Sequence, residues 1–505
     1  MSDENDSGVF TLATQGSITL VGNVFGKGLG FAFVAVATRL VTPAEYGVFT
    51  LGLSIVLFAQ GFASLNIYRS IDYFVPQYLS DSNYGRAKRT LQSAFIIGGV
   101  MSILGAVVLF LARERLSTIF NEPRVAAVLS LLILLIPLQT LLRMLITSFN
   151  SIKKMKYRVL VKDLISPLIR TLGVILLVST GAGLLGLVGG YLLGVALAVV
   201  CGLAFLLYEA DWIRNAKSSP ISNRSLVSYS LPLVLAGMIY SLVGQIDYFV
   251  IGYFLSSTDV GQYRIAYLLA VNLLIVLAAI TPVFKPMVSE NRSNTPLLES
   301  RYQLATRWIT MLTIPPALTL ILAPDIYLSL LFTEEYTAAS AAVVALTIGY
   351  LLNASFGPEG MILEGLGHTR LTLINTFMLV SVNGILNILL VPQLGILGAG
   401  IATGTALAVT GLLGVGEIYL LRSITPISWK LLRVWIAIIF PIIVGWATMS
   451  LDLGDIQTAL VLPISIFTGY ILGIRATNGF TDDDRKIASR IDGYLGYSVI
   501  YPIIS

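Results

Sequence analysis

Charge is scarce in this chain. Only 12% of its 505 residues are Asp, Glu, Lys or Arg, about half of the ~25% usual in soluble domains. A soluble protein of this length needs a polar surface that such a composition cannot supply. Cysteine is almost absent: Cys201 stands alone, so no disulfide framework is available. His368 is the single histidine and has no cysteine near it, which excludes a Cys/His metal site. Long polar segments are missing too. The largest pieces outside apolar runs are a loop over 66–90 and a tail over 475–505. Neither can hold a catalytic domain, so an enzyme is not expected. No cofactor and no nucleic-acid partner are indicated.

Apolar material is abundant, at 56%. With about 20 apolar residues per membrane-spanning helix, it suffices for roughly fourteen spans. Fourteen runs can be read at 18–38, 48–65, 91–111, 125–147, 164–179, 187–208, 229–255, 265–285, 304–331, 338–362, 371–391, 396–421, 431–449 and 456–474. The alternation of barrel strands is absent, so these runs predict helices. The expected fold is an all-α integral membrane protein. Segments after even-numbered spans, with the tail and with Lys285, Arg307 and Arg433 at the adjoining span ends, hold 24 Lys and Arg; those after odd-numbered spans hold five. That asymmetry predicts a cell-membrane protein with both termini in the cytoplasm. The N-terminus, Met-Ser-Asp-Glu-Asn-Asp, lacks the basic start of a signal peptide, so the first span is expected to persist. In the tail, Thr481 reads as an N-cap with Asp482, Asp483 and Asp484 in the first turn. Ile487, Ile491 and Leu495 then recur every four residues, which predicts a short helix lying on the membrane face.

The chain also repeats itself. Thr42-Pro-Ala-Glu-Tyr-Gly-Val-Phe49 matches Ser256-Ser-Thr-Asp-Val-Gly-Gln-Tyr263 at an offset of 214. Phe74-Val-Pro76 matches Phe284-Lys-Pro286 at 210, and Gly183-Leu-Leu-Gly186 matches Gly395-Ile-Leu-Gly398 at 212. Arg158 falls on Arg370 at that same offset. Six spans separate the copies, an even number, so two parallel six-helix repeats are expected, with two further C-terminal helices. The domain boundaries this predicts are 1–215, 216–425, 426–475 and a cytoplasmic tail 476–505. Two bundles with a cleft between them suit an alternating-access transporter. The acid–glycine turns have a simpler reading beside this one, as helix starts with an acid in the first turn.

Charges inside spans carry the functional signal, because burying one in a bilayer costs at least ~2.5–3.5 kcal/mol. Lys27 lies about nine residues into the first span and Arg170 about six into the fifth; Arg143 is near the basic end of the fourth. Arg69 and Lys285 mark the basic ends of the second and eighth. At 1.5 Å per residue, all five fall in the inner half. They would form a cationic vestibule for a phosphate or pyrophosphate. Snorkelling of basic side chains to headgroups is the competing reading. Asp247 is the one acid clearly inside a span; it is the candidate for ion coupling, or a structural acid. Glu359, Glu364 and Glu417 read as interfacial. The run Gly22-Asn-Val-Phe-Gly-Lys-Gly28 approaches a P-loop but is one residue short and lacks the following Ser or Thr, so it is rejected.

The six-plus-six-plus-two arrangement, the Thr42–Gly47 segment and the basic 153–162 loop resemble the polysaccharide-type flippases. These belong to the multidrug/oligosaccharidyl-lipid/polysaccharide exporter superfamily. The resemblance implies translocation of a lipid-linked sugar, on a polyprenyl or dolichol phosphate or pyrophosphate, from the cytoplasmic to the outer leaflet. It implies a cationic central cavity, a role that Lys27 and Arg170 would fit. Membrane lipids, glycosyltransferases or an oligosaccharyltransferase of the same pathway are the implied partners. The acidic N-terminus and Asp-rich tail have a halophilic-archaeal flavour, which points to surface-layer protein N-glycosylation. An ion-coupled multidrug exporter of the same superfamily is the alternative; an integral-membrane glycan polymerase fits less well, having no loop for its chemistry.

Overall fold

The computed structural model describes residues 2–495, and every regular element among them is a helix. Contacts group the chain into two compact units, Met1–Gly261 and Gln262–Ser505. The first holds α1 (Ser2–Leu40), α2 (Pro43–Ala63), α3 (Tyr68–Ser80), α4 (Tyr84–Ile119), α5 (Arg124–Leu132), α6 (Leu135–Ser151) and α7 (Met155–Val159). A π-helical stretch, Leu160–Ile165, leads into α8 (Ser166–Leu177). Then come α9 (Gly183–Glu209), α10 (Asp211–Asn215), α11 (Asn223–Ser230), α12 (Pro232–Val243) and α13 (Ile246–Phe254). Helix α14 (Ser257–Val271) carries the chain into the second unit. That unit continues with α15 (Ile275–Glu290), α16 (Thr295–Leu322), α17 (Pro324–Leu331), α18 (Ser340–Ser355), α19 (Glu359–Gly365), α20 (Thr369–Leu394) and α21 (Ile396–Arg422). It ends with α22 (Trp429–Ile436), α23 (Ile439–Met449), α24 (Asp455–Ala476) and α25 (Asp482–Leu495).

Twelve helical stretches are long and apolar enough to cross a membrane. One, Met155–Glu209, has 55 residues, about 80 Å at 1.5 Å each. That is more than twice the ~30 Å apolar core of a bilayer, and the helix turns back at Gly181 (φ 86°) and Gly183 (φ 48°). The run expected at 229–255 is broken at Gly244–Gln245 into α12 and α13. With that doubling and that broken span, the fourteen crossings read from the sequence are accounted for.

Three local expectations need correction. The 66–90 segment is not a loop: Leu65 and Asn66, both at positive φ, turn the chain into α3. The α3 residues Ile71 and Val75 then pack on Ala87, Leu91 and Ala94 of α4. The run read as 304–331 stops at Leu322, before Pro324 starts α17. The eighth begins at Ser257 rather than 265. The repeat put a boundary after 215; contacts draw theirs after 261, because α11 rests on α3 and α12 and α13 rest on α2.

The repeat is visible in bond detail. Thr42 caps α2 in a box: its hydroxyl accepts from the Glu45 backbone N–H (3.3 Å), and Glu45 accepts from the Thr42 N–H (3.0 Å). Ser256 and Asp259 repeat the box at 3.3 and 3.0 Å. Both acids are therefore caps, as the simpler reading had it. The glycines of the two turns face each other's backbone. A Cβ on Gly47 would stand 1.6 Å from the Ser257 carbonyl oxygen, and one on Gly261 2.3 Å from that of Pro43. This exchange of equivalent contacts is what a local two-fold produces. Gly183 (φ 48°, ψ −127°) and Gly395 (φ 61°, ψ −144°) share one conformation that disfavours a side chain, each opening a 27-residue helix.

In the second unit the tail helix docks. Arg307 of α16 is 2% exposed. It donates to both carboxylate oxygens of Asp484 (2.7 and 2.6 Å), to the Gly479 carbonyl (3.0 Å) and to Thr481 Oγ1 (3.1 Å). The Trp308 indole N–H also donates to Asp484, at 2.8 Å. Thr481 caps α25, its N–H donating to Asp484 at 2.7 Å. Burial pushes the Asp484 carboxyl up, but the Arg307 bonds and charge, the Thr481 N–H and the Trp308 indole outweigh it and hold it below the usual range. The expected tail helix is present, and its described contacts are with this charged socket. The side chains of Ile487, Ile491 and Leu495 lie outside the described residues.

Candidate functional site

Helix α1 packs against the 155–165 helix through two glycines. A Cβ on Gly22 would stand 2.3 Å from a Val159 methyl, and one on Gly26 2.8 Å from Asp163 Cβ. Equal spacing on both sides means that the helices run parallel with an offset of 137. The glycines that mimicked a P-loop thus serve close helix contact. On this register Phe33 is level with Arg170, and the rings agree: the Arg170 guanidinium stacks 4.6 Å over Tyr191, which meets Phe33 edge-on at 5.8 Å and Phe49 at 5.5 Å. Arg170 also donates to Ser166 Oγ from Nε (3.1 Å) and Nη2 (2.8 Å). Its stem fits because residue 194 is glycine; a Cβ there would meet Arg170 Cγ at 2.2 Å. Lys27, exposed on α1, lies six residues below the Arg170 level, about 9 Å along the bundle.

Arg69 and Arg143 stand on two helices that meet at Gly98. Ile67 and Met144 both abut Gly98 of α4, at 2.8 and 3.1 Å from where its Cβ would be. Arg69 and Arg143 lie within two residues of those contacts, and both are exposed. Gly98 is seven residues into its apolar run, about 10 Å from the basic end. Arg69 also lies over the Tyr68 ring, at 5.3 Å.

Among the described residues, none of Lys27, Arg69, Arg143 and Arg170 has a carboxylate within ion-pair distance. Lys285 differs. It belongs to the second unit and pairs with Glu364 at 2.5 Å. Asp247 is buried in the first turn of α13. Glu417 accepts from Asn375 Nδ2 at 2.7 Å. No group of His, Cys, Asp or Glu among the described residues is placed to hold a metal.

Two charged residues escaped the sequence reading. Arg307 was counted with the loop, though it stands three residues inside its run. Asp163 precedes its apolar run by one residue; the structure buries it in the π-helical stretch against α1. The Gly22/Gly26 spacing was the available signal for that contact.

Helices in this number, with this repeat and these capped turns, narrow the possible relatives. The polysaccharide biosynthesis protein family matches residues 36–341, more than half of the chain. The chain belongs to this family. Among curated proteins it is similar to the probable low-salt glycan biosynthesis flippase Agl15 of Haloferax volcanii, with 25% identity over 303 residues, 59% of this chain and 62% of that one. It also resembles the probable flippase AglR of the same organism, with 26% identity over 263 residues, 50% and 53% of the two chains. The matches thus span less than two thirds of these relatives. Both are archaeal, in keeping with the flavour of the acidic termini. Among solved structures, the lipid II flippase MurJ in an inward closed conformation superposes with a TM-score of 0.74 at 15% identity, over 90% of this chain and 97% of that one. An inward-facing multidrug resistance MATE transporter superposes at 0.62 and 15%, over 80% and 98%. Both show the fold.

Proposed function

We propose that this protein moves a lipid-linked saccharide, joined through a phosphate or pyrophosphate to a polyprenyl or dolichyl chain, from the cytoplasmic to the outer leaflet. The observation that carries this reading is the set of three basic residues in the membrane helices of the first unit, Lys27, Arg143 and Arg170, with Arg69 in α3 just past the second span, none of which has a carboxylate partner among the described residues. A charge so placed is costly unless an anion or water meets it, and a phosphate linkage is that anion. The names of the Haloferax relatives support the same class of cargo. Lys285, already neutralised by Glu364, is set aside. The Lys/Arg asymmetry supports cytoplasmic termini, on the side where glycosyltransferases would build the glycan. Surface-layer N-glycosylation, through an oligosaccharyltransferase on the far side, is the proposed use.

The multidrug reading draws on the MATE-like fold. It calls for acids facing an organic cation, and the first unit presents unpaired cations instead. Binding separates the two. The purified protein in nanodiscs is expected to retain a dolichyl phosphodiester of a single hexose and not neutral dolichol. Equal retention of the two, or preference for a quaternary ammonium dye, would contradict the proposal.

A further inference from the structure

One carboxylate near the candidate site has no evident structural task. Asp163 is 6% exposed. Its Oδ1 lies 3.5 Å from Lys162 Nζ, and its Oδ2 is buried without a hydrogen-bond partner. A buried acceptor left unpaired costs about 1–3 kcal/mol, more when charged. The Lys162 side chain is 45% exposed, so water screens that pair. Asp163 sits in a π-helical turn, a rare conformation that recurs at functional sites, and it touches α1 at Gly26, next in the chain to Lys27.

The surroundings of Asp163 are cationic. Lys162 of its own stretch and Arg158 of α7 supply the charges that act on it; Lys27 follows the touching Gly26 on α1, and Lys156 and Arg170 stand on the packed elements α7 and α8. Helix α9 brings Tyr191, Cys201 and Glu209, the last paired with Lys154. Arg158 Nε is itself buried without a partner. The ionised form of Asp163 therefore depends on nearby positive charge rather than on hydrogen bonds. An anion arriving at Lys27 and Arg170 would cancel part of that charge.

We propose that Asp163 is a proton site linked to substrate charge: it takes up a proton from water as a phosphate group occupies the cationic site, and returns it as the phosphate leaves. The step is a proton transfer alone, from hydronium to carboxylate, giving a neutral carboxylic acid and water. It rests on the substrate reading above and adds what that reading lacks, a link between glycan movement and pH. Linkage is reciprocal, so lower pH must tighten phosphate binding.

The test uses the full-length protein in nanodiscs with the dolichyl phosphodiester of a hexose, which does not itself titrate between pH 5 and 8. Calorimetry in two buffers of different ionisation enthalpy reads protons taken up per lipid bound. The wild type is expected to take up as much as one proton, its affinity rising by up to about tenfold per pH unit as pH falls. Asp163→Asn is expected to bind with flat pH dependence and no uptake. Asp163→Ser, smaller and equally unable to titrate, gives the same reading if the amide perturbs folding. Unchanged uptake in these variants, or binding without uptake in the wild type, would overturn the inference alone. Absence of binding at every pH would overturn the substrate reading, and this inference with it.

Discussion

A Lys27→Ala/Arg170→Ala double variant is expected to insert and fold normally and to lose glycan translocation by about 100-fold or more. The magnitude follows from two charge-assisted hydrogen bonds to phosphate at ~1.5–3 kcal/mol each, where 1.4 kcal/mol is tenfold. Folding should survive because Lys27 is exposed and Arg170 is held by one hydroxyl and one ring. Asp163 keeps its pair with Lys162 in the double variant. Arg170→Lys separates charge from shape: it keeps the positive charge and loses both the two-pronged bond to Ser166 and the stacking on Tyr191. The check is outward movement of lipid-linked glycan at matched membrane levels of protein. Wild-type movement in the double variant would remove the cationic site.

Arg307→Ala is expected to act on stability instead. It strands the buried Asp484 carboxylate, and breaking a buried pair from one side costs about 3–5 kcal/mol. Thermal unfolding in detergent should show a clear fall in melting temperature. Asp484→Asn should be milder, since the amide still accepts one bond from Arg307. The pH dependence has a fixed sign. The folded-state carboxyl titrates below its ordinary value of 3.8. Its contribution is thus present above about pH 4 and fades as pH falls through the folded value. Arg307→Ala should flatten that acid limb; an unchanged limb would mean that another carboxylate carries it.

Much of the architecture was legible because a bilayer imposes a simple code. Apolar runs of the right length give spans, and a Lys/Arg excess alternates from one intervening segment to the next. The repeat was legible for a different reason. Glu45/Asp259, Gly47/Gly261 and Gly183/Gly395 satisfy local backbone demands, namely a cap, a close carbonyl and a positive φ. Residues bound by local demands keep their spacing. What was illegible depends on distant partners. Arg307 meets Asp484 across 177 positions and Lys285 meets Glu364 across 79, and no local pattern announces either. Asp163 looked like the last residue of a loop because the π-helical turn that buries it leaves no mark in the sequence. The break at Gly244–Gln245 was hidden inside an apolar run that reads as continuous. Four of the five proposed phosphate ligands share the first unit, and the fifth has its own counter-ion, a distinction that charge counting cannot make.

The most direct test of the central claim is the leaflet in which the lipid-linked glycan resides. Cells lacking this gene are treated with a membrane-impermeant reagent that modifies sugars exposed on the outer face. The account predicts that the glycan accumulates out of the reagent's reach, that wild-type protein restores its exposure, and that the Lys27/Arg170 double alanine variant does not. Normal exposure in the deleted cells would contradict the account and leave the drug-exporter reading in its place.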